Sequence, residues 1–466
     1  MTEQEYTAIA AACDRLLQGE GTSLARVAIP LLHLVNEHPA CTSLYTRATL
    51  AAWEDAPRAA LRAARALLRA LRQKHALTTA GAIDVLIVSH LVNPAQLEQE
   101  DDHYFGPLQR LLTDMGITSR LALVNHCGHQ GLDETVLPDH APPAIEAHLW
   151  LQSLKARNAL LKAARAAREP VDRKVATLAS RQAWLAPTIA NLRLHWQIAG
   201  ICKQHRPRIV LTTCAGDACE RLIWNAARTN SARTLCVGYQ HAGVLQKAHA
   251  IRRPIGANCD PDAILTSGEI PHAMLANSPG LAATRLIPYG SHRALPVRAR
   301  EGAPPGNTCL VLPDAAPGEY AVLLQFAQEC ARLKPEITFK LRPHPATGKP
   351  TTPDLPANLT VSAGTTLAQD CATARYCLYR GSSAVIQAVM AGVKPFYVKQ
   401  SNELPFDPIA NLKEWRETVS SPAEFAAGIQ PPGNDKEQKN AANFCQRYMA
   451  PLRPEALTEL LSLARQ

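Results

Sequence analysis

No apolar run in these 466 residues approaches the length that crosses a bilayer, and the opening Met1-Thr-Glu-Gln-Glu5 is acidic, with no apolar leader core. An integral membrane protein is therefore disfavoured and a cytoplasmic one expected. Aromatic residues make up only 5% of the chain. None alternates with basic residues as a single-strand binding groove would require, so no nucleic-acid partner is expected. The net charge of +9 is mild for this length. It suits an anionic ligand or a membrane surface better than a nucleic acid. The 13 cysteines are odd in number and scattered. The closest pair considered, Cys214 and Cys219, has no matching pair, which argues against a zinc site or a disulfide framework and for a reducing compartment. No metal and no resident cofactor are expected. A Walker sequence is missing, as is a G-x-G-x-x-G opening a βαβ unit, so an NTPase or a dinucleotide enzyme is a poor reading.

The length allows two or three domains with real cores. Residues 1–80 read as an added helical segment rich in Ala, Leu and Arg. Arg58, Arg62, Arg65, Arg69 and Arg72 recur every three or four residues and so share one helical face. That face is either solvated or a dock for anionic lipid headgroups at a membrane.

Residues 81–295 change character. Short apolar runs empty into polar loops: Ile83–His90, Ser119–Asn125, Arg208–Thr213, Thr234–Tyr239, Ala263–Thr266 and Arg285–Ser291. Buried parallel strands separated by helices have this pattern. A long helical region from Pro142 to His205, broken near Pro170, separates the second and third. Ligands of open α/β sheets bind beyond the carboxyl ends of the strands. His90, Asp102 and His126 lie near such ends, and so do Asp217, Glu220 and His241. The spacing of Asp217 and Glu220 is also that of a capping box. Residues 292–307, with Pro296, Pro304 and Pro305, read as a linker.

The second domain, with its core over residues 308–400, opens with the strand Thr308–Asp314. Ile337–Leu341 then ends in Arg342-Pro-His344-Pro345, whose prolines stop the strand and stiffen the turn. The stretch Tyr376-Cys-Leu-Tyr-Arg-Gly381-Ser-Ser383 reads as strand, tight turn and helix start. Gly392 stops that helix before the strand Phe396–Val398. Arg342, His344, Ser382 and Ser383 thus stand on neighbouring strand–helix junctions, a set suited to a phosphate. Residues 401–466 read as helices that cross back onto the first domain.

Two such halves resemble the GT-B glycosyltransferases, an α/β fold of two Rossmann-like, doubly wound domains facing a cleft. Arg342-Pro-His344-Pro345 with Ser382-Ser383 resembles the His-Pro and Ser-Ser motifs of bacterial sialyltransferases and Kdo transferases, which use CMP-activated sugars. Asp84–His90, Asp102–Gly106 and Gly238-Tyr-Gln-His241 are similar to segments of surface-carbohydrate biosynthesis proteins of the same group. The likeness covers roughly residues 80–400. It implies a metal-independent transferase with a CMP-sugar donor and a surface-glycan acceptor, working in the cytoplasm or at the inner face of the membrane. It assigns the donor nucleotide to Gly290, Arg342, His344, Pro345, Gly381, Ser382, Ser383 and Gln387. The acceptor-side chemistry falls to Asp217, Glu220, Asp102 or His241, as base or nucleophile. Two departures stand out. Asp101-Asp102 is followed by His103 where sialyltransferases have Gly, and Gln387 stands where many GT-B enzymes place a ribose-binding Glu. A CDP-glycerol-type glycerophosphotransferase and a non-catalytic polysaccharide-binding protein are the rival readings.

Overall fold

The computed structural model describes residues 2–18, 23–34, 81–131, 133–256, 258–295, 307–314, 317–344, 355–401, 404, 406–429 and 435–465. The basic face at residues 58–72, Pro345 and most of the linker lie outside them. The first half is a six-stranded sheet of β1 (Val85–Leu91), β2 (Ser119–Asn125), β3 (Ile209–Thr213), β4 (Leu235–Gln240), β5 (Ala263–Thr266) and β6 (Arg285–Pro288). The order is β2-β1-β3-β4-β5-β6 and every pairing is parallel. Strands such as β3, buried at all five positions, are apolar because helices cover both faces. The second half holds β7 (Thr308–Leu312), β8 (Thr338–Leu341), β9 (Leu359–Val361), β10 (Ala374–Tyr379), β11 (Lys394–Val398) and β12 (Glu417–Val419). Its order is β12-β11-β10-β7-β8-β9, again all parallel.

The two Rossmann-like, doubly wound halves expected from the sequence are present. Strand order reverses between β1 and β3 in the first sheet and between β7 and β10 in the second. Such switch points open crevices at the strands' carboxyl ends. The long helical region is three helices, Pro143–Ala166, Pro170–Gln182 and Ala186–His205. Pro170 marks the first break. The second, before Pro187, was not read from the sequence. Nor was β12, an edge strand of three residues.

The N-terminal helix Glu3–Gln18 packs in one core with the helices of the first half. The C-terminal region divides. Helix Asp435–Tyr448 packs in a core of the second half through Ala441, Cys445 and Tyr448. Helix Glu455–Leu463 returns to the first half and buries Ala456, Leu457 and Leu460 against β1, β3, β4 and β5. Between them the chain is stitched to the first sheet. Ala450 N–H donates to Ser267 O and Ser291 N–H to Ala450 O, both at 2.8 Å.

Behind the second switch point Arg380 is fully buried. Its Nε donates to Glu319 Oε2 at 2.6 Å and its Nη1 to Val398 O at 2.6 Å. This ion pair pins the first turn of the helix Pro317–Leu333 to the end of β10. Removing one member strands the other charge, which costs about 3–5 kcal/mol. Glu319→Ala is expected to lower unfolding stability by about that amount, read as a drop in the urea midpoint, and Glu319→Gln by less.

Candidate active site

The first switch point is a hydrogen-bonded chain of side chains. Thr213, at the end of β3, donates its hydroxyl to Glu220 Oε1 at 2.9 Å. Its oxygen therefore accepts from His90 Nε2, 2.8 Å away. With Glu220 ionised, that leaves His90 Nδ1 as acceptor for His126 Nε2 at 3.0 Å; a protonated Glu220 reverses the chain. Glu220 is otherwise filled by backbone donors. Ala215, Gly216 and Asp217 N–H groups reach its carboxylate at 2.7–3.0 Å. Asp217 is the N-cap of the helix Ala218–Asn230 and closes a capping box with Glu220. Burial pushes the Asp217 carboxyl up to about 6. Burial and then Asp217 push Glu220 up to about 8, against the pull of its donors.

Asp102 likewise builds its own loop. Its Oδ1 accepts from Ser89 Oγ at 2.9 Å, Tyr104 N–H at 2.9 Å and Phe105 N–H at 2.8 Å. Gly106, at φ +58°, closes the turn by donating to Asp102 O. Two of the expected catalytic residues, Asp102 and Glu220, thus spend hydrogen bonds on shaping loops, and Asp217 stands at the helix start beside them. What the Asp102 loop presents is His103 and Tyr104. The Tyr104 ring meets His90, His103 and His241 edge-on, with centroids 5.3, 5.2 and 5.0 Å away.

His241 follows β4 into the cleft. Its Nδ1 is buried and has no hydrogen-bond partner. Burial, then Arg293 and His90, hold the imidazole well below its ordinary value. Two residues on, the loop touches the other half. A Cβ on Gly243 would lie 2.9 Å from Pro408 Cβ and 3.5 Å from Ser383 Cβ, so the halves meet at a glycine.

On the second half, Ser382 is buried and Ser383 faces that loop. Gly381, at φ +66°, has no room for a side chain because the Phe406 ring fills the space. His344 follows β8. Its imidazole is lowered by burial, opposed by Asp314 and reinforced by Arg293. Three residues assigned to the donor work elsewhere. Arg342 turns back to the buried Asp370 at 2.6 Å and to Thr365 O at 2.9 Å. Lys340 joins it at 2.6 Å. Burial raises the Asp370 carboxyl, but Lys340, Ser362, Thr365 and Arg342 outweigh that and bring it down to about 2. Gln387 donates to the Arg293 carbonyl at 2.8 Å and so ties the halves together. Gly290 lies in the first half at φ +98°, where a Cβ would strike the Pro451 carbonyl. It lets the returning C-terminal chain pass.

The sequence reading missed Arg293, which it left in the linker. Its Nη2 donates to His103 O at 3.0 Å and its guanidinium lies 5.7 Å from the Tyr104 ring centroid. His292 beside it packs against Gly106 and has a buried Nδ1 without a partner. Among the described residues no group of three or more His, Cys, Asp or Glu is placed to hold a metal ion, and no helix is long and apolar enough to cross a membrane.

No protein-family model matches the chain, and no curated protein does. Among solved structures it is similar to the glycosyltransferase SnogD from Streptomyces nogalater, at 17% identity and TM-score 0.44 over 82% of this chain and 99% of that one. It is similar to the spinosyn rhamnosyltransferase SpnG complexed with thymidine diphosphate, at 14% and 0.47 over 82% and 100%. It is also similar to the Methanocaldococcus jannaschii UDP-GlcNAc 2-epimerase in complex with UDP-GlcNAc and UDP, at 9% and 0.46 over 82% and 99%. The chemistry of this chain rests on its own residues.

Burial first, then neighbouring imidazoles or Arg293, takes His90 down to about 3 and His103 and His292 to about 4. Unfolded, these groups titrate near 6.5. Between those values the unfolded chain binds protons that these imidazoles refuse when folded, so their contribution is full above about pH 6.5 and falls as pH drops. Asp217 and Glu220, both raised, contribute with the opposite sign, and their share is lost as pH rises. Below about pH 6 the three histidines outnumber them, and thermal melts at pH 6 and 5 are expected to show a falling midpoint. A midpoint that holds or rises would contradict the neutral cluster.

Proposed function

We propose that the protein is a glycosyltransferase that takes a sugar from a nucleotide-activated donor bound in the cleft between the halves. One observation carries the reading: the loop that leaves β4 with His241 lies against Ser383, at the helix start that follows β10 of the second half. The donor lies on the second half, with His344, Ser382 and Ser383 toward its phosphate. The donor narrows to a CMP-activated sugar of the Kdo or sialic acid type on the pattern of His344-Pro345 with Ser382-Ser383. The absence of a carboxylate from the helix Ala384–Met390 fits a donor other than a UDP- or GDP-hexose. The acceptor, a surface glycan, lies against the first half.

The acceptor-side base is assigned to His241, with Asp217, whose carboxyl burial raises, as the alternative. The His241 imidazole is held neutral and its Nδ1 has no hydrogen-bond partner. The acceptor hydroxyl gives its proton to that nitrogen while its oxygen attacks the anomeric carbon. The bond from that carbon to the phosphate oxygen breaks, and the nucleotide leaves with the electron pair. Donors on the second half stabilise the charge that develops there. Closure around the donor keeps water from competing for it.

A thermal-shift screen with CMP, CDP, UDP, TDP and GDP tests the reading. CMP is expected to raise the melting midpoint selectively, since a ligand bound only by the folded state stabilises it. Selective stabilisation by UDP or TDP would keep the transferase and replace the donor, and no response to any nucleotide would remove both. His241→Ala is expected to lower kcat by about 10²–10⁴ with nucleotide affinity retained. His344→Ala is expected to weaken nucleotide binding with the fold intact.

A further inference from the structure

We infer that Arg293 is the anchor for a phosphate or diphosphate in this cleft, a deepening that rests on the donor reading above. The Arg293 side chain is half-buried and is in contact with no carboxylate among the described residues; Asp102 acts on it only through space. Several other buried or half-buried arginines do pair: Arg221 with Asp260, Arg253 with Asp14, Arg380 with Glu319 and Arg416 with Asp407, while Arg252 is held by carbonyls and the Ser278 hydroxyl. A half-buried cation with no carboxylate in contact is costly, and an anionic ligand is a partner that relieves it. Arg293 directs one N–H to the His103 carbonyl and rests its face on Tyr104. Further N–H groups of its five are left to grip an oxyanion in a fork.

Its neighbours fit the same ligand. His103, His292 and His344 all sense the Arg293 charge, and His103 also senses His344 across the cleft. Neutral imidazoles cannot neutralise a guanidinium. They can donate to an anion that does. His241, Tyr104, Tyr239 and Asp102 from the first half, and Asp314 beside His344 from the second, also face this cluster. The backbone of Arg293 is held from both sides. Its N–H donates to Ser291 Oγ at 3.2 Å, and its carbonyl accepts from Gln387 at 2.8 Å. The anchor is therefore in place before a ligand arrives, which lowers the ordering cost of binding. Gln387 positions this anchor and does not touch the ligand itself.

The test is calorimetric titration of the full chain with CMP, UDP, TDP and inorganic pyrophosphate. Wild type, Arg293→Gln, Arg293→Lys and Gln387→Met are compared, with melting curves as the check on folding. Arg293→Gln is expected to lose at least tenfold in affinity for pyrophosphate and for the nucleotide that binds. Arg293→Lys, which keeps the charge and loses the fork, is expected to lose less, and Gln387→Met a few-fold. Where Arg293→Gln does not fold, Arg293→Lys, which keeps the charge, decides by the same affinity ratio. A nucleotide that binds wild type and Arg293→Gln equally overturns the anchor and leaves the donor reading standing. Pyrophosphate binding that depends on Arg293, with no nucleotide bound, keeps the anchor and sinks the donor reading. No binding of any of the four overturns the anchor.

Discussion

One guanidinium, in contact with no carboxylate among the described residues, is tied to both halves of the molecule. Arg293 takes its place from the first half, through Ser291 and the His103 carbonyl, and from the second, through Gln387. Its charge is among the causes that hold His103, His241, His292 and His344 below their ordinary values. The cleft therefore concentrates imidazoles that are neutral and able to donate or accept a proton. Burial alone would lower them, but a cation among them also fixes the sign of what they can receive.

The carboxylates nearby are put to another use. Asp102 takes three donors on one oxygen and Glu220 takes backbone donors from three consecutive residues. A carboxylate satisfied in this way is a brace, because breaking its bonds leaves buried N–H groups unpaired. Its effect on chemistry is indirect. Asp102 sets the loop that holds Tyr104 against His90 and His241. Glu220 orients Thr213, which couples the Glu220 proton to the tautomers of His90 and His126.

The sheets were legible because fully buried parallel strands are short apolar runs with polar exits, and nearly all of them stand within a few residues of where the sequence put them. β12 was not, since Glu417-Thr-Val419 is too short to show a period. Within the site, His241 and Ser383 were legible as strand-end residues, and the structure brings their loops into contact. Arg342 read as a phosphate ligand because it shares a turn with His344. Side chains from a strand's end can point either way, and the buried Asp370 captured this one. Arg293 was hidden by composition. Pro296, Pro304 and Pro305 made its neighbourhood read as a linker, and nothing in one sequence says that Gln387, nearly a hundred residues on, reaches its carbonyl.

The placement of Arg293 also follows from how the chain crosses between halves. The chain leaves the first half just after Leu295 and comes back between Tyr448 and Glu455. Both crossings are fastened to the same few residues. Ser291 N–H bonds Ala450 O, Arg453 N–H bonds Tyr289 O, and Gly290 has no side chain, so Pro451 can lie against it. Tyr448 adds a third tie: Val244 N–H donates to its hydroxyl at 2.7 Å, just beyond the His241 loop. Two covalent connections and their hydrogen bonds thus converge beside one side chain. A residue at such a crossing moves least when the halves shift against each other, because displacement grows with distance from the connection. The cation thus stands beside the point where the two halves are fastened to one another.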